Sequence, residues 1–336
     1  MRQIWIPRYG DPHVLEVRDA PDPSPSEGQV RVKVEAAGVN FADLVARMGM
    51  YQDAPKGPIV VGYEVAGTID AVGPGVDAAR VGEPVAAMTR FGGYSSSVVV
   101  GEKQAIRRPD GMDAQTGAAI PVTYLTAWMM LEQHARIRAG DKVLVHSAGG
   151  GVGLAALDLI RWRGAVAYGT ASKSKHDYLK ERGYFRLVDY RTHDFATELA
   201  GEGFDVILDA VGGESWAKGL GLLRAGGKLI MFGLSGANPG ETGSYLNMLS
   251  TLAQIPWLKL NPVALINGNL GIAGVNMGRM WHEADRCNHW LHEIFALWSQ
   301  GVVRPVIHAA VPFDRAAEAH RILHARENVG KVLLIP

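Results

Sequence analysis

The sequence predicts an α/β protein in which a β-rich part is followed by a doubly wound parallel sheet. Three observations carry this. Up to Pro121, short stretches of period-two alternation or β-branched residues are separated by turn signals. From Lys142 onward, short apolar strands alternate with segments of helical spacing, the pattern of successive βαβ units. Between the first of those strands and the first of those helices stands the small-residue turn Ala148-Gly149-Gly150-Gly151-Val152-Gly153.

In the β-rich part, GQVRVKVEAAGVN alternates at period two, VVGYEVAGTIDAVG is rich in β-branched residues, and GEPVAAM follows a turn. Gly73-Pro74-Gly75 and Gly92-Gly93 mark further turns. TYLTAWMMLEQHARI, after Pro121, predicts a helix. Then come strands at KVLVHS, AVAYGTA, RLVDY, DVILDA and GKLIMFG, with helices over Gly151 to Arg163, Ser172 to Arg182 and Glu214 to Leu223. NLGIAGVN is a candidate sixth strand. Helices near Trp281 to Ser299 and Arg315 to Arg326, with a last strand KVLLI, follow it. The chain is therefore expected to leave the doubly wound domain and return to the first one. The expected domains are 1–122 with 277–336, and 123–276.

A chain of 336 residues, 47% of them hydrophobic, is long enough for a sizeable core or for two ordinary domains. Lys plus Arg and Asp plus Glu both number 34, so no basic stripe favours nucleic acid. The start, MRQIWIPRYGDP, lacks the apolar core of a signal peptide, and no apolar run approaches the roughly 18 residues of a membrane-spanning helix. Cys287 is the single cysteine, which excludes an intrachain disulfide and a four-thiolate zinc site and suits a reducing, cytoplasmic setting. His146, His176, His193 and His282 show no metal-ligand spacing, and no serine sits in a nucleophile-elbow pattern, so hydrolase chemistry lacks support.

The turn from Ala148 to Gly153 is an A-x-G-x-x-G version of the dinucleotide fingerprint. Small residues at Ala148, Gly150 and Gly151 let the backbone approach a pyrophosphate, Gly153 permits close packing of helix on strand, and the helix N-terminus, with Val152 in its first turn, offers N–H groups to the anion. A glycine-rich connection without a ligand is the plainer alternative, and the βα units around it favour the cofactor. One strand later, NAD-selective sites place an acid that binds the ribose 2′-hydroxyl. Here the segment reads Gly169-Thr170-Ala171-Ser172-Lys173-Ser174-Lys175, with no acid before Asp177. Hydroxyls and lysines suit the 2′-phosphate of NADPH, with Ser172 and Lys175 as candidate ligands; Lys173 is equally readable as a solvated surface charge.

Gly62-Tyr63-Glu64-Val65-Ala66-Gly67, followed by Gly73 and Val76, resembles the signature of the medium-chain zinc alcohol dehydrogenases. That family has histidine where this chain has Tyr63, and its cysteine ligand falls at Asn40, so no catalytic zinc is expected. GVNFAD, GYEVAGTIDAVGPGV, YLTAW, LVHSAGGGVG, GTASKSKHDYLK and NVGKVLLIP resemble the zinc-free quinone oxidoreductases of the zeta-crystallin type over nearly the whole chain, and among them the vesicle amine transport protein subgroup. Gly149, where that pattern has Ser or Ala, and Asp158, where it has Gln, are departures. The resemblance implies a GroES-like β-barrel-type catalytic domain joined to a Rossmann domain with a doubly wound parallel six-stranded sheet. It also implies a nicotinamide in the cleft between domains near Asn40 and Thr126. Tyr190 would pack on the adenine, and Val211, Gly212, Phe232, Gly233, Asn328 and Gly330 would line other parts of the cofactor. Tyr190 as a strand-end aromatic and Asn328 as a turn former are the plainer alternatives.

Without a metal, the implied chemistry is hydride transfer from NADPH to an acceptor that is already electron-poor, a quinone or an enone. Tyr51, in GMYQ, is the candidate proton donor and Tyr63 the second choice; packing roles for both, with proton delivery by solvent, stay open. The segment PWLKLNPVALI is a candidate cover for an apolar substrate. An enoyl-thioester reductase on the same fold and a non-catalytic NADPH-binding vesicle or scaffold protein are the competing readings. The sixth strand, near Gly271, is expected at a sheet edge, where unpaired backbone groups favour a homodimer.

Overall fold

The longest strand explains the first part of the molecule. In the computed structural model, which describes residues 1–237 and 260–336, Gln29–Val39 alternates between buried and outward positions up to Glu35 and is buried throughout from Ala36 to Val39. A strand of that pattern has one face on a core and its far end covered on both sides. The described residues fall into two compact units, one made of 1–125 with 277–336, the other of 126–237 with 260–276.

In the first unit, β1 (Arg2–Trp5) and β2 (Glu16–Asp19) form an antiparallel pair. After β3 (Gln29–Val39) come α1 (Phe41–Arg47), β4 (Glu64–Val72), β5 (Pro84–Met88), β6 (Ser97–Gly101), β7 (Ala105–Arg107) and α2 (Ala114–Ala119). Helix α3 (Pro121–Trp128) then carries the chain into the second unit. The helix expected over 123–137 is α-helical only to Trp128. Met129–Ala135 is a π-helical turn, closed by Arg136 in the left-handed region at φ 56°. The wider turn frees carbonyl groups, and the Lys228 ammonium takes that of His134 at 2.9 Å.

The second unit comprises β8 (Lys142–Val145), α4 (Gly151–Trp162), β9 (Val166–Thr170), α5 (His176–Arg182), β10 (Arg186–Val188), α6 (Phe195–Glu198), β11 (Phe204–Asp209), α7 (Glu214–Leu220), β12 (Leu223–Met231), α8 (Pro262–Gly268) and β13 (Gly271–Gly274). Its strands run parallel in the order β10-β9-β8-β11-β12-β13. Leu144, Val145, Ile207 and Leu208 are all fully buried, as central parallel strands with both faces covered require. The order reverses between β8 and β11, the switch point where doubly wound sheets open a crevice at the carboxyl ends of their strands. Helix α7 stops short of Leu223 because that residue already pairs with Phe204. The candidate cover segment is helical from Pro262, with Val263 and Ile266 exposed, while 256–259 lie outside the described residues.

The chain returns to the first unit through α9 (Ala284–Ser299), preceded by a 3-10 turn at Trp281–Glu283, then β14 (Ile307–Pro312), α10 (Ala316–His324) and β15 (Lys331–Ile335). Strand β14 was not anticipated: its HAAV core is too small and weakly patterned to signal a strand by itself. The resulting seven-stranded sheet has the order β14-β15-β3-β4-β5-β7, with β6 also on β3. Strand β15 pairs antiparallel with β3, bringing Val332 opposite Val39 and so Lys331 beside the start of α1.

Candidate functional site

The turn after β8 is built by contacts that leave no room for side chains. Ser147 adopts φ 57°, the Gly150 amide bonds the Ser147 carbonyl at 2.9 Å, and the Ala148 amide bonds that of Thr170 at 3.0 Å. A Cβ at Gly153 would lie 2.6 Å from the carbonyl oxygens of both Ser147 and Ala148, so any side chain there forces the backbone apart. The Tyr184 hydroxyl holds the Gly153 carbonyl at 2.9 Å. Helix α4 begins at Gly151, so its first-turn N–H groups, those of Gly151, Val152 and Gly153, open on the turn. This is a close-approach cradle for an anion, and it fits a dinucleotide pyrophosphate.

Lys175 belongs to the same place. A Cβ at Gly149 would come within 2.9 Å of Lys175 Cδ, so the lysine stem lies across the turn where the bare glycine admits it. Ser172 is 5% exposed with its Oγ 3.3 Å from that of Ser174, whereas Lys173 is exposed. Asp158, the other departure from the family pattern, is buried on α4 and paired with Arg182 at 3.1 Å. Tyr190, two residues past β10, is 40% exposed.

Four further expected residues come together at the ends of β11 and β12. A Cβ at Gly233 would meet the Ala210 carbonyl at 2.8 Å, and one at Gly212, where φ is +83°, would meet Leu234 at 2.6 Å. The Phe232 amide bonds the Asp209 carbonyl, and the Gly236 amide bonds that of Val211. Val211-Gly212 and Phe232-Gly233 are thus one tight double turn. Thr126, on α3 and also in this unit, is buried at 8% exposure.

In the first unit, the neighbourhood of Asn40 is made by side chains. Lys331 Nζ donates to Asn40 Oδ1 at 2.6 Å and pairs with Glu64, and Asn40 Nδ2 donates to Glu64 Oε1 at 2.9 Å. The second Glu64 oxygen accepts the Val122 amide at 2.7 Å. Gly38 must lack a side chain, because a Cβ there would stand 2.3 Å from Glu64 Oε1. Glu64 and Lys331 are 0% and 4% exposed, so each charge depends on the other. Asn328 Nδ2 donates to the Gly330 carbonyl at 2.7 Å, and Gly330 takes φ +86° against the Val306 carbonyl, which sets the turn that delivers Lys331.

Below this cluster, Asp43 accepts the amides of Asn40 and Gly62 and the Tyr94 hydroxyl, at 2.8, 3.0 and 3.0 Å. Complete burial pushes its pKa up to about 7 against those hydrogen bonds. Tyr63 is 4% exposed, its ring 6.0 Å from Tyr51 and 5.4 Å from Phe91, and burial raises its phenol well above the usual range. The loop bearing Tyr51 is tied to 277–279 by a two-pronged Arg279–Asp53 pair at 2.9 and 3.0 Å. Among the described residues, no group of three or more His, Cys, Asp or Glu side chains is placed to hold a metal ion. Lys331 is the site residue that sequence reasoning missed. Its one signal was a charge heading the apolar strand KVLLI, a position that demands a buried partner.

A family model described as an alcohol dehydrogenase GroES-like domain matches residues 26–134, and one described as a zinc-binding dehydrogenase matches residues 183–334. The synaptic vesicle membrane protein VAT-1 homolog of Rattus norvegicus is 37% identical over 328 residues, covering 96% of this chain and 80% of the relative. Escherichia coli quinone oxidoreductase complexed with NADPH superposes with a TM-score of 0.87 at 26% identity, covering 100% of both chains. CurK enoyl reductase does so with 0.85 at 27% identity, over 99% and 98% of the two chains. The fold is thus a GroES-like domain with a Rossmann sheet, and the class is that of the medium-chain dehydrogenases/reductases, which are oxidoreductases. Within that class, the chain belongs to the zinc-free quinone oxidoreductase family related to the VAT-1 homologues.

Proposed function

We propose that the chain is an NADPH-dependent, zinc-independent oxidoreductase that transfers hydride to a quinone or an α,β-unsaturated carbonyl compound. The observation that carries this reading is Lys175 lying across Gly149, with no carboxylate at the end of β9. A lysine and a buried serine beside the phosphate turn suit a 2′-phosphate, which an acid there would repel. The E. coli quinone oxidoreductase of like fold is complexed with NADPH, which supports the same cofactor.

In this reading Ala148, Gly150, Gly151, Val152 and Gly153 bind the pyrophosphate, Ser172 and Lys175 the 2′-phosphate, and Tyr190 the adenine. Val211, Gly212, Phe232, Gly233, Asn328 and Gly330 line other parts of the cofactor. Bound NADPH supplies the hydride. Asn40, whose amide is fixed by Glu64 and Lys331, and Thr126 orient the reacting ring. Tyr51 donates the proton that completes the reduction, with Tyr63 behind it as a phenol that burial keeps protonated. The edge strand β13, around Gly271, joins two copies into a homodimer.

A second reading, an enoyl-thioester reductase, is favoured by the likeness to CurK enoyl reductase. The VAT-1 names carry no activity, so a non-catalytic NADPH-binding role is the third. Among the described residues, no helix is long and apolar enough to cross a membrane. Calorimetric titration with NADPH and NADH, followed by turnover against quinones, simple enones and a crotonyl thioester, tests the three. The expected result is NADPH bound at least about tenfold tighter than NADH, with quinones or enones reduced. Reduction of the thioester alone selects the second reading. Tight NADPH binding with no acceptor reduced selects the third.

A further inference from the structure

Two polar side chains that the reaction above does not use meet at the switch point of the parallel sheet. His146, the residue after β8, is 2% exposed, and Asp209, the last of β11, is 0% exposed. Asp209 Oδ1 accepts the amides of Val211 and Gly212 at 2.7 and 2.9 Å, and its Oδ2 accepts the Ser215 hydroxyl at 2.6 Å. His146 Nδ1 lies 3.0 Å from Thr170 Oγ1 at the end of β9, whereas Nε2, 4.0 Å from Asp209 Oδ2, is beyond hydrogen-bond reach and has no hydrogen-bond partner among the described residues. The ring packs edge-on against Phe195 at 4.5 Å between centroids, and the His146 amide bonds the Leu208 carbonyl.

The imidazole is therefore hydrogen-bonded to the end of β9 and packed beside the end of β11, while its own backbone runs straight into Ser147 and the phosphate turn. Packing alone would be served by an apolar residue, since a buried polar ring is costly unless it is held. Asp209 does not need the histidine for its hydrogen bonds, because three donors already satisfy it. Nor is the ring there as a charge: burial holds it below the usual imidazole range and so neutral. What the ring adds is a hydrogen bond that joins the loop after β8 to the loop after β9.

We propose that His146, hydrogen-bonded to Thr170 and packed beside Asp209, is a positioning residue that locks the phosphate turn and the 171–175 loop into one preformed dinucleotide site. The ligand rests on the reading given above; the geometry does not. A preformed site gains affinity by avoiding the cost of ordering its loops on binding.

The test uses the whole chain and two variants, His146→Asn and Thr170→Val. In the ligand-free protein, amide hydrogen exchange is expected to quicken by about tenfold or more, together, in peptides covering 147–153 and 171–176, with β3 to β5 unchanged. Faster exchange only beside the mutated residue, or no change, overturns the proposal. In NADPH titrations both variants are expected to raise Kd by about five- to tenfold, while kcat at saturating NADPH stays within about twofold. A general loosening of the fold would lower Tm and the active fraction without separating KM from kcat. An unchanged Kd despite looser loops also overturns the proposal. If the native protein binds no NADPH, the cofactor assignment fails and the exchange measurement decides the proposal alone. If His146→Asn does not fold, Thr170→Val, which loses a single hydroxyl, carries the same expectations.

Discussion

The phosphate turn and the Asn40 cluster reach rigidity by opposite means. The turn is made rigid by what it lacks: at Gly149 and Gly153 the space a Cβ would fill is taken by a lysine stem or by carbonyl oxygens. All of its backbone comes from one contiguous stretch. The Asn40 cluster is made rigid by what it contains, a buried ammonium, carboxylate and amide, and Lys331 and Asn40 are 291 positions apart in the chain. The first is a local structure that tolerates no addition. The second is a long-range assembly that tolerates no subtraction.

The sharpest way to break that contrast is to subtract from the cluster. Lys331→Met leaves Glu64 buried without its counter-charge and is expected to destabilise the protein by about 3–5 kcal/mol in urea unfolding. Adding Glu64→Gln removes the orphaned charge and should recover a large part of the loss. A Lys331→Met protein as stable as the native one would show that the pair is dispensable.

Adding to the turn is the converse. Gly153→Val drives a side chain against two carbonyl oxygens, with an expected cost of about 1–3 kcal/mol and loss of measurable NADPH binding by calorimetry. Retention of native affinity would mean that the turn does not hold the pyrophosphate.

Asp43 sharpens the account of the cluster through pH. Its folded pKa, about 7, lies above its ordinary value of 3.8, so the folded state holds the proton more tightly. Its contribution to stability is full below about pH 4 and is lost as pH rises through about 7, by at most about 1.4 kcal/mol per pH unit. His146 and His320, whose pKa values burial lowers, slope the other way below the usual imidazole range. The signature is therefore the difference between native protein and Asp43→Asn, measured by denaturant unfolding from pH 4.5 to 8. A difference independent of pH would contradict it.

The smallest expected effect is on cofactor choice. Lys175→Met should weaken NADPH by about tenfold and leave NADH within about twofold, read as the ratio of the two dissociation constants. Equal losses for both cofactors would place Lys175 away from the 2′-phosphate.

The same contrast explains what could be read in the sequence. The strands of the parallel sheet, their helices and the turn from Ala148 to Gly153 all announce themselves within short windows, because periodicity and glycine spacing are local signals. Asn40, Tyr51 and Glu64 were legible by resemblance only, and the partner that fixes Asn40 was not. Lys331 stands in the closing strand, and nothing near it in sequence says that β15 pairs with β3. Asp209 and His146 were hidden for a similar reason. Each is an unremarkable residue at the end of an apolar strand until strand order places β8 next to β11. The π-helical turn at Met129–Ala135 was invisible because the ammonium that takes its freed His134 carbonyl belongs to Lys228, on β12 and far away in the sequence.

The most direct test of the central claim is anaerobic oxidation of NADPH by metal-stripped protein, with NADH in parallel, against ortho- and para-quinones and simple enones. Removing oxygen prevents semiquinone cycling from imitating turnover. Turnover with NADPH, little with NADH and no gain from added zinc is the predicted result. Activity that appears only when zinc is restored, or that uses NADH equally well, would contradict it.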